Sequence, residues 1–153
     1  MYNIILKSLV TIALGFTILF SSEPLSIGFW NAENLFDLIN DPNKNDDEFA
    51  LGGRKGVDQK IYDLKIKNCS EVVADLDVDI LGLCEVENIQ VLNDLNIAYP
   101  KRNYDIIHYE SPDNRGIDNA LLYDRSRFSI ISSKAILNLL DNGGKTRDIL
   151  YVL

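Results

Sequence analysis

The sequence predicts an α/β fold in which helices cover the outer face of a mixed β-sheet. Two observations lead to this prediction. The first half of the 153-residue chain alternates short apolar runs with segments of helical periodicity, in the order β-α-β. The second half is a succession of short apolar segments divided by turn-forming residues. A β-α-β beginning followed by several strands is typical of a mixed sheet, and this length fits one domain.

The first half is expected to contribute two strands and two helices. An apolar strand over 25–30 precedes a polar loop over 37–56 that is rich in turn formers. Residues 57–76 have helical periodicity, and their shared apolar face is predicted to contain Ile61, Leu64, Cys69, Val72, Val73 and Leu76. A second strand is predicted over 80–84. A short helix over 86–98 follows, with Ile89, Leu92 and Leu95 facing inward.

The second half is expected to consist of strands and turns. Its apolar segments are short, and Asp, Asn, Gly, Pro and Ser separate them. The predicted elements are a strand over 104–109, a turn over 111–116, strands over 120–123 and 128–132, a hairpin-type turn over 141–144 and a strand that starts at 146.

The N-terminus has the pattern of a targeting segment. A short, weakly basic start precedes an apolar run over 8–20, and a Ser-Ser-Glu-Pro sequence ends the run. A spanning helix needs about 20 apolar residues, so the run fits a signal-peptide core better. We therefore predict a signal peptide over 1–22, with an uncleaved membrane anchor as the alternative, and a domain over 23–153. The expected location is exported, either periplasmic or extracellular.

Charge and cysteine content limit the functional classes. The net charge of −8 argues against a protein that coats nucleic acid by bulk attraction. It does not exclude an enzyme that handles phosphate esters through a metal, because a bound cation reverses the local field. Cys69 and Cys84 are interpreted as small buried apolar residues, although an exported protein could join them in a disulfide.

Oxygen-bearing side chains follow two of the apolar strands. Asn31 and Glu33 come after the first predicted strand, whereas Glu85 and Glu87 come after the second. Strands that end in such residues place charge at the edge of a sheet, where a hard cation or a phosphate can be bound. The pair of strand ends is the starting point of the functional hypothesis.

Four segments in order resemble motifs of the endonuclease/exonuclease/phosphatase superfamily. They are residues 29–37, 79–88, 109–123 and 146–150, and the resemblance covers about residues 25–153. The second motif differs at Cys84, where glutamine is more usual. The resemblance implies a four-layered α/β sandwich of two mixed sheets with outer helices, of which this chain is expected to form the N-terminal half.

The resemblance also implies a chemistry and a metal site. Members cleave phosphodiesters or phosphomonoesters with Mg²⁺, or with Mn²⁺ or Ca²⁺. By resemblance Glu85 is the principal metal ligand, Asn31 is the amide that supports the metal or the scissile phosphate, and Glu33 is a second metal contact. Mg²⁺ prefers hard oxygen ligands and keeps several waters, so one or two carboxylates are enough.

Four residues of the later motifs are candidates for binding the substrate. Arg115 and Arg147 could hold phosphate oxygens with their planar guanidinium groups. Asp118 and Asn119 belong to the same central motif. The alternatives are that the arginines are surface residues and that Asp118 and Asn119 bond the local backbone. The expected partner is a phosphate ester from nucleic acid, a nucleotide or a lipid headgroup, and no protein partner is implied.

Other residues are expected to be structural. His108 matches no catalytic histidine of the superfamily, and Phe29 and Trp30 are predicted core residues. The acidic run over 46–48 is expected to be a solvated loop face. If Glu85 were only a solvated strand end, Glu87 and Asn88 would cap the following helix.

The family's later motifs lead to two competing hypotheses. A Gly-Asp-x-Asn sequence, a histidine on an earlier strand and a terminal Asp-His pair do not occur in these 153 residues. The first hypothesis is therefore a metal-dependent phosphoesterase whose present chain is truncated and inactive alone. The alternative is a non-catalytic fragment or a binding domain.

Overall fold

A computed structural model describes residues 24–99 and 101–153. The predicted signal peptide over 1–22 lies outside the described residues. The elements of the described part are strand β1 (Ile27–Leu35), helix α1 (Gln59–Leu76), strand β2 (Ile80–Val86), helix α2 (Ile89–Ala98), and strands β3 (Tyr104–His108), β4 (Asp118–Asp124), β5 (Ser133–Ile136) and β6 (Ile149–Val152).

The main sheet has four strands in the order β1-β2-β4-β3. Strands β1 and β2 are parallel, with α1 between them in the chain, whereas the β2–β4 and β3–β4 pairs are antiparallel. The buried apolar residues of both helices pack in one cluster with one face of this sheet, around Leu81, Leu83 and Leu122. The prediction of an α/β fold with a mixed sheet is confirmed.

Helix α1 begins and ends at capping aspartates. The Asp58 side chain accepts a hydrogen bond from the Ile61 N–H at 2.9 Å, and Asp77 takes the left-handed conformation that ends many helices. The predicted inward face is partly wrong. Cys69 and Val73 are buried as expected, but Tyr62 and Ile66 complete the stripe, and the remaining predicted residues, Ile61, Leu64, Val72 and Leu76, are exposed. Apolar residues flank the stripe on both sides, so periodicity alone could not fix its centre.

Helix α2 starts later than predicted. Asn88 is its N-cap, and its side chain accepts hydrogen bonds from the N–H groups of Gln90 and Val91. Leu92 and Leu95 are buried as expected, but Ile89 is exposed and Val91 takes the inward position. The helix begins after the Asn88 cap, and the apolar pattern alone does not show where that cap lies.

A two-stranded antiparallel sheet of β5 and β6 lies beside β4. The predicted turn over 141–144 connects its strands, and the Leu140 N–H donates to the Gly144 carbonyl at 2.9 Å. The predicted strand over 128–132 is wrong, because the strand forms over 133–136, where β6 supplies a pairing partner. The strand predicted from 146 is confirmed in position as β6.

An apolar cleft of about 660 Å³ separates the two sheets. Phe29, Leu121, Phe128 and Leu150 are among its lining residues. The prediction of Phe29 as a core residue is wrong, since 72% of the residue is exposed. Its neighbour Trp30 points to the helical side and packs against the core, because successive strand residues face opposite sides of the sheet.

The amino end of β2 is held by a network around Asp79. This carboxylate is 1% exposed and accepts the Ser26 N–H at 2.8 Å and the Arg102 Nη1 at 2.7 Å. Arg127 also forms an ion pair with it. Hydrogen bonds from the Ser26 N–H and the Ser26 hydroxyl, followed by those from Arg127 and Arg102, hold the pKa of Asp79 well below its usual range despite burial. The network joins the start of β1, the start of β2 and the loops that flank β3 and β4.

Two further expectations concern the cysteines and the membrane. Cys69 and Cys84 are both buried and free, as predicted. Within the described ranges no helix has the length and apolar character that crossing a membrane requires.

Candidate functional site

The carboxyl end of β2 brings three strands together at one edge. In the sheet register Asn31 of β1 lies opposite Cys84, and Asn119 of β4 lies opposite the same cysteine from the other side. The register of β2 with β4 shifts between Cys84 and Val86, so Glu85 occupies a β-bulge, and the register with β1 shifts between Asn31 and Leu35. The pairing of β2 with β1 and β4 therefore places Asn31, Glu85 and Asn119 on three adjacent strands at the same edge, as the hypothesis of a metal and phosphate site requires.

Backbone strain is concentrated at this edge. Glu33, Asn34 and Glu85 have positive φ angles of 51°, 60° and 60°. Across 24–99 and 101–153 the other non-glycine residue with positive φ is Asp77, whose position at the end of α1 explains it. A left-handed residue other than glycine costs about 1–2 kcal/mol, and such strain gathers at functional sites. Three strained residues at two adjacent strand ends therefore mark a candidate site.

The end of β1 is closed by a turn and a lysine. The Asn31 Oδ1 accepts the Glu33 N–H at 2.8 Å, which fixes the turn that follows. The Lys65 Nζ of α1 donates to the carbonyls of Glu33 and Asn34 at 2.6 and 2.8 Å. Burial lowers the pKa of Lys65, while Glu33 and Glu85 act in the opposite direction. Lys65 was not predicted as a site residue. The sequence feature that could have indicated it is its position one helical turn before the buried Cys69, which places it near the sheet.

The carboxylate of Glu85 faces a guanidinium group across the edge. The Arg147 Nη1 lies 3.6 Å from the Glu85 Oε1, and the Glu85 side chain is 18% exposed. Arg147 precedes β6, so the contact links the main sheet to the second one. A distance of 3.6 Å permits attraction but is too long for a hydrogen bond, which leaves both groups able to bind a ligand.

Arg115 is the second cationic group near this edge. Its Nε and Nη2 atoms each lie 3.1 Å from an oxygen of Asp113, and half of its side chain is exposed. The hydrogen bonds to Asp113 raise the pKa of Arg115, and the charge of Glu85 adds to this effect. The guanidinium group is thus held by Asp113 on one side and remains open to solvent on the other.

The loop that carries Arg115 is fixed from two directions. The Asp118 Oδ1 accepts the Ser111 N–H at 2.9 Å. The Lys44 Nζ donates to the carbonyls of Ser111 and Asp113 at 3.0 and 3.1 Å. Gly116 adopts a φ of 72°, which lets the chain turn back into β4. These contacts set the position of Arg115 relative to the sheet.

Asn119 and Asp118 point to opposite faces of β4 because they are neighbours in a strand. The Asn119 Nδ2 donates to the Asp148 carbonyl at 2.7 Å, so it lies on the side of the second sheet. Asp118 is buried on the helical side, where its Oδ2 lies 3.0 Å from the His108 Nε2. The structure thus brings both residues to the edge at the end of β2, with Asn119 opposite Cys84 and Asp118 opposite Val86, but on opposite faces of β4. A substrate role for either residue stays a prediction.

Within the described part of the chain, one group of three His, Cys, Asp or Glu residues has its potential metal-ligand atoms close together. Ligand atoms of His108, Glu110 and Asp118 all lie within 4.8 Å of one another. Both oxygens of Asp118 already have partners, His108 and Ser111. The group is therefore accounted for as the closure of the loop between β3 and β4, in agreement with the structural interpretation of His108.

Glu87, two residues after Glu85, is buried beside the carboxyl group of Asp46. Burial raises the pKa of Glu87 to about 8, and the nearby carboxylates of Asp37 and Asp46 contribute in the same direction. Asp46 is 2% exposed, so the prediction of a solvated acidic run is wrong for this residue. The Asp46 Oδ1 is the one buried side-chain atom of the described residues without a hydrogen-bond partner. A proton on Glu87 supplies the donor that this oxygen needs.

The chemistry of the donors at the edge suits a hard divalent cation. Glu85 and Glu33 offer carboxylate oxygens, and Asn31 offers an amide oxygen that already accepts one hydrogen bond. Such oxygen donors are those that Mg²⁺, Mn²⁺ and Ca²⁺ prefer. Two arginines stand beside them, and guanidinium groups bind phosphate oxygens in pairs. An edge with these two kinds of groups is typical of a metal-assisted phosphoester hydrolase.

Comparison with known proteins agrees with this class. The sequence profile of the Endonuclease/Exonuclease/phosphatase family matches residues 26–153. The chain therefore belongs to the endonuclease/exonuclease/phosphatase family, whose members are phosphoesterase- and nuclease-type hydrolases, and the predicted resemblance is confirmed. No curated protein and no solved structure matches it. The mixed α/β arrangement is consistent with part of that family's fold.

Proposed function

We propose that this protein is a divalent-metal-dependent phosphoesterase of the nuclease type, with its metal site at the carboxyl end of β2. The observation that carries the proposal is the left-handed bulge at Glu85, beside a second left-handed turn at Glu33 and Asn34. A glycine would occupy either place without strain. Carboxylates held there at a cost in stability are best explained by a role for their charge.

The residues of the edge have separate roles in the proposal. Glu85 is the principal ligand of the cation, and Glu33 with the Asn31 amide completes the protein's share of the ligands. When bound, Mg²⁺ would polarise the phosphoryl oxygen and stabilise negative charge on the leaving group. Arg147 and Arg115 hold the remaining phosphate oxygens, and Asn119 is positioned to donate or accept a hydrogen bond at the same place.

We further propose that the chain of residues 1–153 has low turnover by itself. Its single histidine, His108, is already paired with Asp118 on the helical side of the sheet. A hydrolase of this kind needs a group that accepts a proton from the attacking water. Robust Mg²⁺-dependent cleavage of bis(p-nitrophenyl) phosphate by the purified chain, abolished by Glu85→Gln, would overturn the expectation of low turnover.

Metal binding tests the proposal without requiring turnover. Titration of the full chain with Mn²⁺, followed by the electron paramagnetic resonance of free Mn²⁺, should show a site that Mg²⁺ competes for. Glu85→Gln should weaken this site by about 100-fold or more, since even residues behind metal ligands contribute 10–100-fold. Glu71→Gln is the matched control, because Glu71 is an exposed residue of α1 that pairs with Lys67. Equal Mn²⁺ affinity in both variants would remove Glu85 from the metal site.

A non-catalytic binding module is a second candidate function. The apolar cleft between the sheets and the exposed Phe29 support it, since large exposed apolar surfaces mark interaction sites. A binding module should retain its partner affinity in the Glu85→Gln variant, whereas the enzyme proposal requires Glu85. Pull-down experiments with the wild type, Glu85→Gln and Phe29→Ser separate the two candidate functions, because a binding module should lose its partner only in Phe29→Ser.

Export is a separate proposal that rests on the apolar run over 8–20. Expression of the full chain in its native host, followed by N-terminal sequencing of the cell-free fraction, tests it. A mature N-terminus close to residue 23 is expected. Intact Met1 on protein recovered from the cytosol would overturn it.

A further inference from the structure

A second concave site adjoins the proposed metal edge. It is a cleft of about 290 Å³, here named the lysine cleft, which Glu33, Phe36, Phe49, Lys55, Tyr62 and Lys65 help to line. Glu33 is shared between this cleft and the candidate metal site. A substrate whose scissile phosphate lies at Glu85 would therefore have its next group beside the lysine cleft.

The lysine cleft contains two ammonium groups that no carboxylate neutralises directly. Neither Lys55 nor Lys65 has an acidic side chain within ion-pair distance among the described residues. The Lys65 Nζ donates to two backbone carbonyls, and an ammonium has three N–H donors. One donor of Lys65 thus remains for a ligand. These are two ammonium groups without a direct ion pair in a chain whose net charge is −8, although Glu33 and Glu85 act on Lys65 at longer range.

An aromatic wall holds one of the lysines in place. The rings of Phe36 and Phe49 are stacked, with centroids 4.3 Å apart and an angle of 12° between their planes. The Lys55 Nζ lies 5.5 Å from the centroid of the Phe49 ring, which is the distance of a cation–π contact. The ring thus orients the ammonium group beside the cleft, and Lys55 remains exposed to solvent, where an anion can reach it.

We propose that the lysine cleft binds a second phosphate group of the substrate, adjacent to the phosphate that is cleaved. The inference rests on the proposed function, because that function places the first phosphate at Glu85. Glu33 is the acidic residue of the cleft, and its charge is engaged once it contributes to the metal site, so the cleft is then cationic. The substrate class is a phosphodiester that carries a neighbouring phosphate, as in a nucleic-acid strand or a phosphorylated inositol headgroup.

Calorimetric titration of the full chain tests the inference. With Ca²⁺ as the cation, the ligands are a thymidine dinucleotide and the same dinucleotide with an added 5′ or 3′ phosphate. One of the two added phosphates should tighten binding at least about fivefold. Lys55→Ala should reduce this gain to less than twofold. Lys60→Ala, an exposed lysine at the start of α1 that does not line the cleft, should leave it unchanged.

The outcomes separate this inference from the proposed function. Binding of the plain dinucleotide that needs Ca²⁺ and Glu85, with no gain from either added phosphate and no gain in the inositol pair described below, overturns the lysine cleft alone. A gain that survives in Lys55→Ala also overturns it. If neither a dinucleotide nor an inositol compound binds in the presence of Ca²⁺, the proposed function fails as well.

A second pair of ligands distinguishes the two sources of the phosphate. Glycerophosphoinositol and its 4-phosphate carry one and two phosphates, as the dinucleotides do. A Lys55-dependent gain with the nucleotides alone assigns the cleft to a nucleic-acid strand, and a gain with the inositol compounds alone assigns it to a lipid headgroup. Gains with both pairs support a general second-phosphate site.

Discussion

Asp79 and Glu85 stand at the two ends of β2, and their environments differ in every respect. Asp79 is 1% exposed, and Ser26, Arg102 and Arg127 bind its oxygens. Glu85 occupies a strained left-handed bulge, is partly exposed and has Arg147 at 3.6 Å. The first carboxylate is fully used by the fold, whereas the second is held at a cost and keeps its oxygens available.

Hydrogen bonding and backbone strain distinguish the structural acid of this motif from the functional one. Both residues belong to the same ten-residue segment over 79–88, and both are acidic. Satisfied hydrogen bonds and unstrained backbone indicate a structural role. Strain together with incomplete pairing indicates a functional one.

Replacement of Asp79 by Asn should cause the largest loss of stability. The neutral side chain leaves Arg102 and Arg127 without the buried charge that they share. Urea denaturation should show the lowest midpoint of all the variants named here, while Mn²⁺ affinity of the folded fraction stays within about twofold of wild type, as expected for independent sites. Loss of Mn²⁺ binding without loss of stability would reverse the roles assigned to the two ends.

Acid should remove the same stabilisation from the wild type. The folded-state pKa of Asp79 lies well below the ordinary value of 3.8. A group with a lowered pKa stabilises the fold above the unfolded-state pKa, and the contribution is lost as the pH falls through the folded-state value. The urea midpoint of the wild type should therefore fall steeply below about pH 4. The midpoint of Asp79→Asn should fall less steeply over the same range.

A divalent cation should stabilise the protein through the other end of β2. At a free Mn²⁺ concentration of 100 times Kd, the gain in unfolding free energy is about 2.7 kcal/mol. Thermal unfolding should show this shift in the wild type and in Asp79→Asn. Glu85→Gln should gain no more than about 0.4 kcal/mol at the same Mn²⁺ concentration, and the full shift retained in that variant would place the cation elsewhere.

Lys65 should act on the metal site through the backbone. Lys65→Met removes both hydrogen bonds to the Glu33–Asn34 turn and should weaken Mn²⁺ binding by about tenfold, the lower range for residues that orient ligands. Lys67→Met on the exposed face of α1 is the control. Lys65→Arg should recover most of the affinity, because a guanidinium group can also donate to two carbonyls. Lower thermal stability with unchanged Mn²⁺ affinity would reduce Lys65 to a packing residue.

Replacement of Glu85 by Gly should give the smallest change in the free energy of unfolding. The change should be a stabilisation, opposite in sign to that of Asp79→Asn. Glu85→Gly removes the strain of a left-handed glutamate, worth about 1–2 kcal/mol, against an entropic cost of about 0.5–1 kcal/mol. We expect a gain of about 0.5–1 kcal/mol in unfolding free energy together with loss of Mn²⁺ binding. Destabilisation by this substitution would mean that the bulge is not strained.

Local sequence patterns predicted much of the fold. The order of the first strands and helices follows from apolar periodicity, and the turn over 141–144 follows from its Asp-Asn-Gly-Gly sequence. The family motifs named Asn31, Glu33 and Glu85, and the structure brings these residues to one sheet edge. The periodicity and the turn depend on neighbours in the chain, so the sequence alone could predict them, whereas the meeting of the motif residues depends on the parallel pairing of β1 with β2.

Contacts between distant residues decided the rest. The inward phase of α1, the exposure of Phe29 and the location of β5 each depend on which surface packs against which. Asp46 reads as a loop acid, yet it is buried beside Glu87, which lies 41 residues away (87 − 46). Lys65 reaches Glu33 only because α1 crosses back over the parallel pair of strands. Periodicity predicts a helix or strand and its repeat, whereas burial and strand pairing depend on contacts across the whole fold. Those long-range contacts give Asp79 and Glu85, at the two ends of β2, their different roles.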